Sequence, residues 1–200
     1  MIDYIVIDID NTILCTMSNV DKFIEIKYSL PLSIVKDLSY IFTTDKELHC
    51  GFFRPNLKNF FEFIKNNVRK IIFWSAGEKS YVDKIISLLI KRYEISPSFI
   101  FSRDFCIIDG DMNFQKPIDK LRQYHIDIKN SKIIFIDDNP SYMKNNNRGE
   151  IILAGKFKID DISDIYNDAG IYSIIVQLKC FIELGSMPSG YPASLQPEFL

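Results

Sequence analysis

Two hundred residues, 47% hydrophobic and 14% aromatic, suffice for one globular domain with a small insertion and argue against a disordered chain. The formal net charge is −2 with the charges dispersed, so no basic stripe points to nucleic acid and no acidic tail to a basic partner. Cys15, Cys50, Cys106 and Cys180 form neither a CxxC pair nor a zinc spacing, which fits free thiols in a reducing compartment. The N-terminus carries no basic, cleavable leader, and no apolar run approaches the roughly 20 residues of a membrane span. These features predict an intracellular protein, cytoplasmic or nuclear, with no membrane partner.

Continuous apolar runs at residues 4–9, 70–74, 98–101 and 132–136, with a fifth at 150–153, predict strands covered on both faces. Helical stripes separate them. Leu57, Phe60, Phe61 and Ile64 follow Pro55 at helical spacing, and Val82, Ile85, Ile86 and Leu89 repeat the pattern. Alternation of strand and helix implies right-handed crossovers and an α/β fold, a doubly wound parallel sheet of Rossmann type. Its ligand crevice belongs at the carboxyl ends of the strands.

Two segments depart from the alternation. Residues 15–53 are too long for a loop, and 40–43 with 47–53 predict a β-hairpin inside an insertion that borders the crevice. Residues 106–114, with Asp109-Gly110 between short apolar arms, predict a second hairpin. Residues 160–184 look helical, with Ile171, Ile174, Ile175, Leu178, Phe181 and Ile182 as an apolar stripe that covers the sheet or pairs two chains into a homodimer. The chain thus divides into one domain over 1–184 and a Pro-rich tail over 185–200.

The polar residues that end the strands carry the chemistry. Asp8 and Asp10 close the first, Ser75 the second, and Asp137 with Asp138 the fourth, while Lys116 follows the second hairpin. Each alone has a plain alternative: an acidic pair in a solvated turn, a serine capping the helix near Glu78, an exposed lysine before a helix started by Pro117. Together they gather carboxylates that repel one another unless a cation joins them. Oxygen-only ligands favour Mg²⁺, which accepts substrate phosphate as a further ligand.

At this point the chain resembles the haloacid dehalogenase superfamily of aspartate-nucleophile phosphatases. AspIleAspAsnThr at 8–12 is similar to its DxDxT motif, followed by a strand-end Ser/Thr, a Lys and an acidic pair. A narrower resemblance is to the FCP/SCP-type branch, which includes phosphatases of the RNA polymerase II C-terminal domain. PhePheArgProAsnLeuLysAsnPhePhe at 52–61 resembles its hydrophobic-Arg-Pro-Gly segment before a helix, SerArgAspPheCys at 102–106 its Arg-Glu-x-Cys stretch, and IleAspAspAsnPro at 136–140 its Leu-Asp-Asn-Ser-Pro. The AspAsp-x-x-Asp of 160–164 is also similar. Asn56 stands where the branch usually has Gly, Pro117 where it has Asp, and Asp138 where it has Asn.

The resemblance implies that Asp8 is the nucleophile and Asp10 the general acid and base, with a raised pKa and with its backbone carbonyl on the metal. Thr12 would orient Asp10. Ser75, Lys116 and Arg103 would bind phosphate, Arg103 alternatively forming a surface salt bridge. Asp8, Asp10 and Asp138 would hold Mg²⁺, and Asp137 would position metal water or Lys116. About 60 residues separate Thr12 from Ser75, which leaves no room for a large cap domain. An uncapped crevice suits a phosphorylated protein or peptide, so a protein Ser/Thr phosphatase is expected. Alternatives are a phosphatase for a small molecule or nucleotide, a nucleic-acid 3′-phosphatase, and a catalytically silent phosphoprotein-binding module.

Overall fold

A computed structural model of the chain describes residues 1–139, 141 and 150–185. Five parallel strands form the main sheet: β1 (Ile2–Ile7), β5 (Val68–Trp74), β6 (Phe99–Phe101), β9 (Ile133–Asp137) and β10 (Glu150–Leu153). Their spatial order is β10-β9-β1-β5-β6, so the chain runs outward from β1 in one direction and then returns to build the other. β1 is central, and the reversal beside it opens a crevice at its carboxyl end. The registers Ile7↔Phe73 and Ile7↔Ile136 bring the ends of β1, β5 and β9 level.

The period of two along each strand divides the core. Ile5, Ile7, Ile71, Phe73, Ile134 and Ile136 face one side, where α3 (Leu57–Asn67), α4 (Lys79–Tyr93) and α6 (Gly170–Leu184) cover them. Val6, Ile72, Trp74, Phe101, Ile133 and Phe135 face the other, against Ile118 and Leu121 of a 3₁₀ segment (Ile118–Tyr124) and against Ile126 and Ile128. Both faces are buried, which accounts for the unbroken apolar runs. In α6 the buried residues are Ile171, Ile174, Gln177, Leu178 and Phe181, with Ile175 and Ile182 packed at the margin, so this stripe covers the sheet beside α3.

The insertion holds more than a hairpin. β3 (Ser39–Thr43) and β4 (Leu48–Phe53) pair as expected, but β2 (Leu14–Met17) adds a third strand in the order β2-β4-β3. Two helices, α1 (Val20–Ser29) and α2 (Leu32–Leu38), complete it. Asn19 caps α1 by accepting from Lys22 N–H, and Phe23 and Ile26 enter a separate core with Cys50, Phe52, Phe157 and Ile159.

The second hairpin is small: β7 (Ile107–Ile108) and β8 (Phe114–Gln115) flank a turn in which the Asp109 carboxylate accepts from the N–H groups of Asp111 and Asn113. Pro117 precedes a 3₁₀ segment rather than an α-helix. The expected helix over 160–184 is two, α5 (Ile162–Tyr166) and α6, broken where Asp168 turns toward Arg54. Asp161 and Asp164 form a capping box at the start of α5. The Pro-rich tail from Ser186 onward lies outside the described residues.

Candidate active site

Asp8 immediately follows β1, where its N–H donates to the Ile136 carbonyl of the neighbouring strand at 2.9 Å. The ladder therefore fixes the carboxylate at the tip of the central strand. Asn11 then takes a left-handed backbone (φ 59°), a conformation asparagine tolerates, and folds 8–12 into a tight turn. Thr12 closes it from within: its hydroxyl accepts from Asp138 N–H at 3.0 Å, tying the first acidic pair to the second. This differs from the expectation that Thr12 orients Asp10.

Lys116 is 2% exposed, and its ammonium lies 2.5 Å from Asp8 Oδ1 and 2.7 Å from Asp137 Oδ2. Burial alone would push that ammonium toward neutrality, but the two carboxylates outweigh it and hold Lys116 above the ordinary lysine range. Asp137 is pushed up by burial and by the charge of Asp8, and Lys116 opposes both. Asp138 is raised for the same first two reasons. One oxygen each of Asp8, Asp137 and Asp138 lie within 4.8 Å of one another. Three carboxylates with one lysine between them leave an excess of negative charge, and an all-oxygen donor set of this kind fits Mg²⁺.

Asp10 is set apart from that cluster by its hydrogen bonds. The Tyr81 hydroxyl donates to Asp10 Oδ1 at 2.5 Å, Thr16 approaches the same oxygen at 3.3 Å, and Ser75 Oγ lies 3.5 Å from Oδ2. Burial is the largest influence and the charge of Asp8 adds to it, so the carboxyl is raised to about 6 although Tyr81 pulls it down. Tyr81 and Thr16 were not singled out from the sequence. Tyr81 follows Ser75 by six residues on a helix whose apolar stripe masks it, and Thr16 belongs to the insertion.

Ser75 is buried at the end of β5, with its N–H on the Phe101 carbonyl. Its hydroxyl accepts from Gly77 N–H at 2.9 Å and does not cap α4, whose N-cap position, Glu78, makes no side-chain cap bond. Arg103 donates from Nε to the Ala76 carbonyl at 2.7 Å and stands 3.8 Å from Glu78, with its guanidinium over the Phe114 ring. It lines, with Asp8, Asp10, Ser75, Asp138 and Lys156, a cleft of about 270 Å³. Asp8, Asp10, Ser75, Arg103 and Asp138 thus meet at this cleft, with Lys116, Thr12 and Asp137 buried beneath it.

Arg54 supports the assembly from behind. Buried, it donates to both oxygens of Asp168 at 2.8 and 2.7 Å and to the Thr12 carbonyl at 2.9 Å. Asn56, two residues on, has φ 67°, a left-handed backbone that glycine adopts freely and asparagine tolerates.

A parallel sheet of this order, with its acidic tip on the central strand and no large domain covering it among the described residues, defines an α/β protein of the haloacid dehalogenase class. Residues 4–175 match the family described as NLI interacting factor-like phosphatase, and the chain belongs to that family, within the FCP/SCP-type branch of the superfamily. Among the solved structures that share its fold are two of Fcp1. One is the fission yeast RNA polymerase II CTD phosphatase Fcp1, a variant bound to beryllium fluoride, with a TM-score of 0.58, 18% identity, and coverage of 92% of this chain and 52% of that one. The other is Fcp1, described as an essential RNA polymerase II CTD phosphatase, with a TM-score of 0.58, 20% identity, and coverage of 96% and 55%. The chain spans about half the length of these two relatives. No curated protein matches the sequence. No helix among the described residues is long and apolar enough to cross a membrane.

Proposed function

We propose that this chain is a magnesium-dependent phosphatase with Asp8 as nucleophile, acting on phosphoserine or phosphothreonine in an extended peptide. The observation that carries the reading is the division of labour between two carboxylates two residues apart. Asp8 lies against the Lys116 ammonium at 2.5 Å, whereas Asp10 is held by hydroxyls and raised to about 6. Opposite environments on neighbouring carboxyls are how one site provides both a nucleophile and an acid.

Lys116 occupies Asp8 Oδ1, leaving Oδ2 to attack phosphorus. As the Oδ2–P bond forms, the bond from phosphorus to the ester oxygen breaks, and that oxygen takes its electron pair and the proton from Asp10. In the second half a water attacks the phosphorus of the aspartyl phosphate and gives a proton to Asp10, while the P–Oδ2 bond breaks to return the Asp8 carboxylate and release inorganic phosphate. Ser75, Lys116 and Arg103 bind the phosphoryl oxygens. Asp8, Asp138 and the backbone carbonyl of Asp10 would hold Mg²⁺, with Asp137 beside it positioning Lys116. When bound, that ion offsets the negative charge of the phosphoryl group and the carboxylates.

The peptide substrate is favoured by the uncapped crevice and by the family. A hollow of about 310 Å³ continues from Asp10 past Lys46, His49 and Arg103, between the β3–β4 turn and the start of α4. The test is turnover of phenyl phosphate, a phosphoserine peptide, sugar phosphates and nucleotides with Mg²⁺ and with chelator. Turnover of the peptide, lost in Asp8→Asn and reduced about 10²–10⁴-fold in Asp10→Asn, is expected. Undiminished activity in Asp8→Asn refutes the nucleophile, and a preference for sugar phosphates or nucleotides refutes the substrate class.

A further inference from the structure

Three hydroxyls from three different elements converge behind Asp10, and counting their protons gives the group a direction. Each hydroxyl has one proton to donate. Tyr81 of α4 lies 2.5 Å from Asp10 Oδ1, a distance suited to a hydroxyl donating to a carboxyl oxygen, so its proton is spent there. The contact of 2.8 Å between Tyr81 and Thr16 of β2 must then be donated by Thr16. With that proton committed, the contact of 2.7 Å between Thr16 and Tyr40 of β3 must be donated by Tyr40. The chain Tyr40→Thr16→Tyr81→Asp10 is the one assignment that satisfies all three short contacts while Oδ1 carries no proton. In such a chain each bond polarises the next.

The insertion is shaped to permit this. β4 lies between β2 and β3, and Gly51 is the partner of both Thr16 and Tyr40. A Cβ at position 51 would meet the Cys15 carbonyl at 2.1 Å and the Tyr40 hydroxyl at 2.7 Å. The missing side chain leaves a slot through which Tyr40, 4% exposed, reaches across the middle strand to Thr16.

We infer that Tyr81, Thr16 and Tyr40 form a directional hydroxyl chain that occupies Asp10 Oδ1 and leaves Oδ2 as the oxygen that exchanges the proton with substrate. Oδ2 is the oxygen beside Ser75, which lies with Asp8 on the cleft. The inference rests on the phosphatase reading above. The chain residues are positioning residues: Tyr81 touches Asp10, Thr16 and Tyr40 act on it through Tyr81, and together they fix which oxygen faces the ester. The insertion thereby becomes part of the acid rather than only a wall of the crevice.

The experiment compares kcat for phenyl phosphate, whose leaving oxygen needs a proton, with kcat for 2,4-dinitrophenyl phosphate, whose leaving oxygen does not. Tyr81→Phe, Thr16→Val and Tyr40→Phe are expected to lower the ratio of the two rates about tenfold or more, with Tyr81→Phe largest and Tyr40→Phe smallest. Thr16→Ser, which keeps the hydroxyl, restores the ratio. Equal losses on both esters, or no restoration by serine, overturn the inference while leaving the phosphatase reading intact. If Thr16→Val does not fold, Tyr81→Phe, which removes one oxygen, decides the matter alone. Absence of turnover by the unaltered chain on either ester overturns the phosphatase reading and the chain's role with it.

Discussion

Asp10 gives the most direct pH signature. Its carboxyl is raised from the usual 3.8 to about 6 by burial first, with Asp8 adding to the shift and Tyr81 opposing it. A raised value means the proton is retained over a wider range, so the acid is mostly protonated below about pH 6 and mostly ionised above it. Leaving-group protonation requires the first form. The rate constant kcat/KM for phenyl phosphate should therefore fall as pH rises through about 6, by roughly tenfold per unit beyond it. Asp10→Asn has no such proton to lose, and its low rate should be flat across the same interval. A falling limb that survives in Asp10→Asn would assign the titration to another group. Asp8, Ser75, Asp137 and Asp138 were legible because each ends or follows a strand of the main sheet, and strand ends of an open parallel sheet converge whatever lies between them, while Lys116 was legible from its place after the second hairpin. The partners of Asp10 were not, since Thr16 and Tyr81 meet it only through the insertion and a helix face.

Elements hold these residues by contacts that leave little slack, and the Arg54 clamp is the clearest. The segment before α3 passes Arg54 under the 8–12 turn, where it bonds the Thr12 carbonyl, and Asp168 before α6 receives its other donors. Gly170 begins α6 against the guanidinium: a Cβ there would lie 1.8 Å from Nη2 and 2.1 Å from Cζ. Arg54 cannot step aside without breaking a buried pair whose carboxylate is 11% exposed. Gly170→Ala should thus destabilise the fold by about 1–3 kcal/mol, the usual cost of overpacking, read as a lower urea midpoint at unchanged slope. A neutral or stabilising result, as helix propensity alone would give, would show that the clamp is loose.

The same contact explains why residues 160–184 did not read as two helices. Their apolar stripe is continuous, whereas the break at Asp168 is set by an arginine more than a hundred positions away. In the insertion the alternating strands were visible, but α1 and α2 were missed although Asn19, Asp21, Phe23 and Ile26 supplied a cap, an acidic first turn and a stripe. Ten residues of helix, with Ile24 and Tyr28 exposed, gave too narrow a buried face to outweigh the neighbouring hairpin pattern.

At the scale of the whole molecule, the sheet joins three buried carboxylates that the chain contributes from residue 8 and from 137 and 138. Lys116 cancels one of those charges, so the folded state carries a repulsion that the unfolded chain, with its carboxylates far apart, does not. An ion that binds only the folded arrangement relieves that repulsion and adds its own binding free energy, about 2.7 kcal/mol at a hundredfold excess over Kd. For a chain of this length that is a rise of roughly 5–11 °C in melting midpoint. Mg²⁺ should produce such a rise, reversed by EDTA, and Asp138→Ala should remove most of it while raising the midpoint of the metal-free protein. The sign of that last change separates two explanations. If Asp138 serves the fold chiefly through its bond network at the end of β9, its loss lowers the metal-free midpoint. If it is a charge held close to Asp8 for the sake of a cation, its loss relieves strain and the midpoint climbs. A melting curve indifferent to Mg²⁺ would mean that the three carboxylates do not form a metal site.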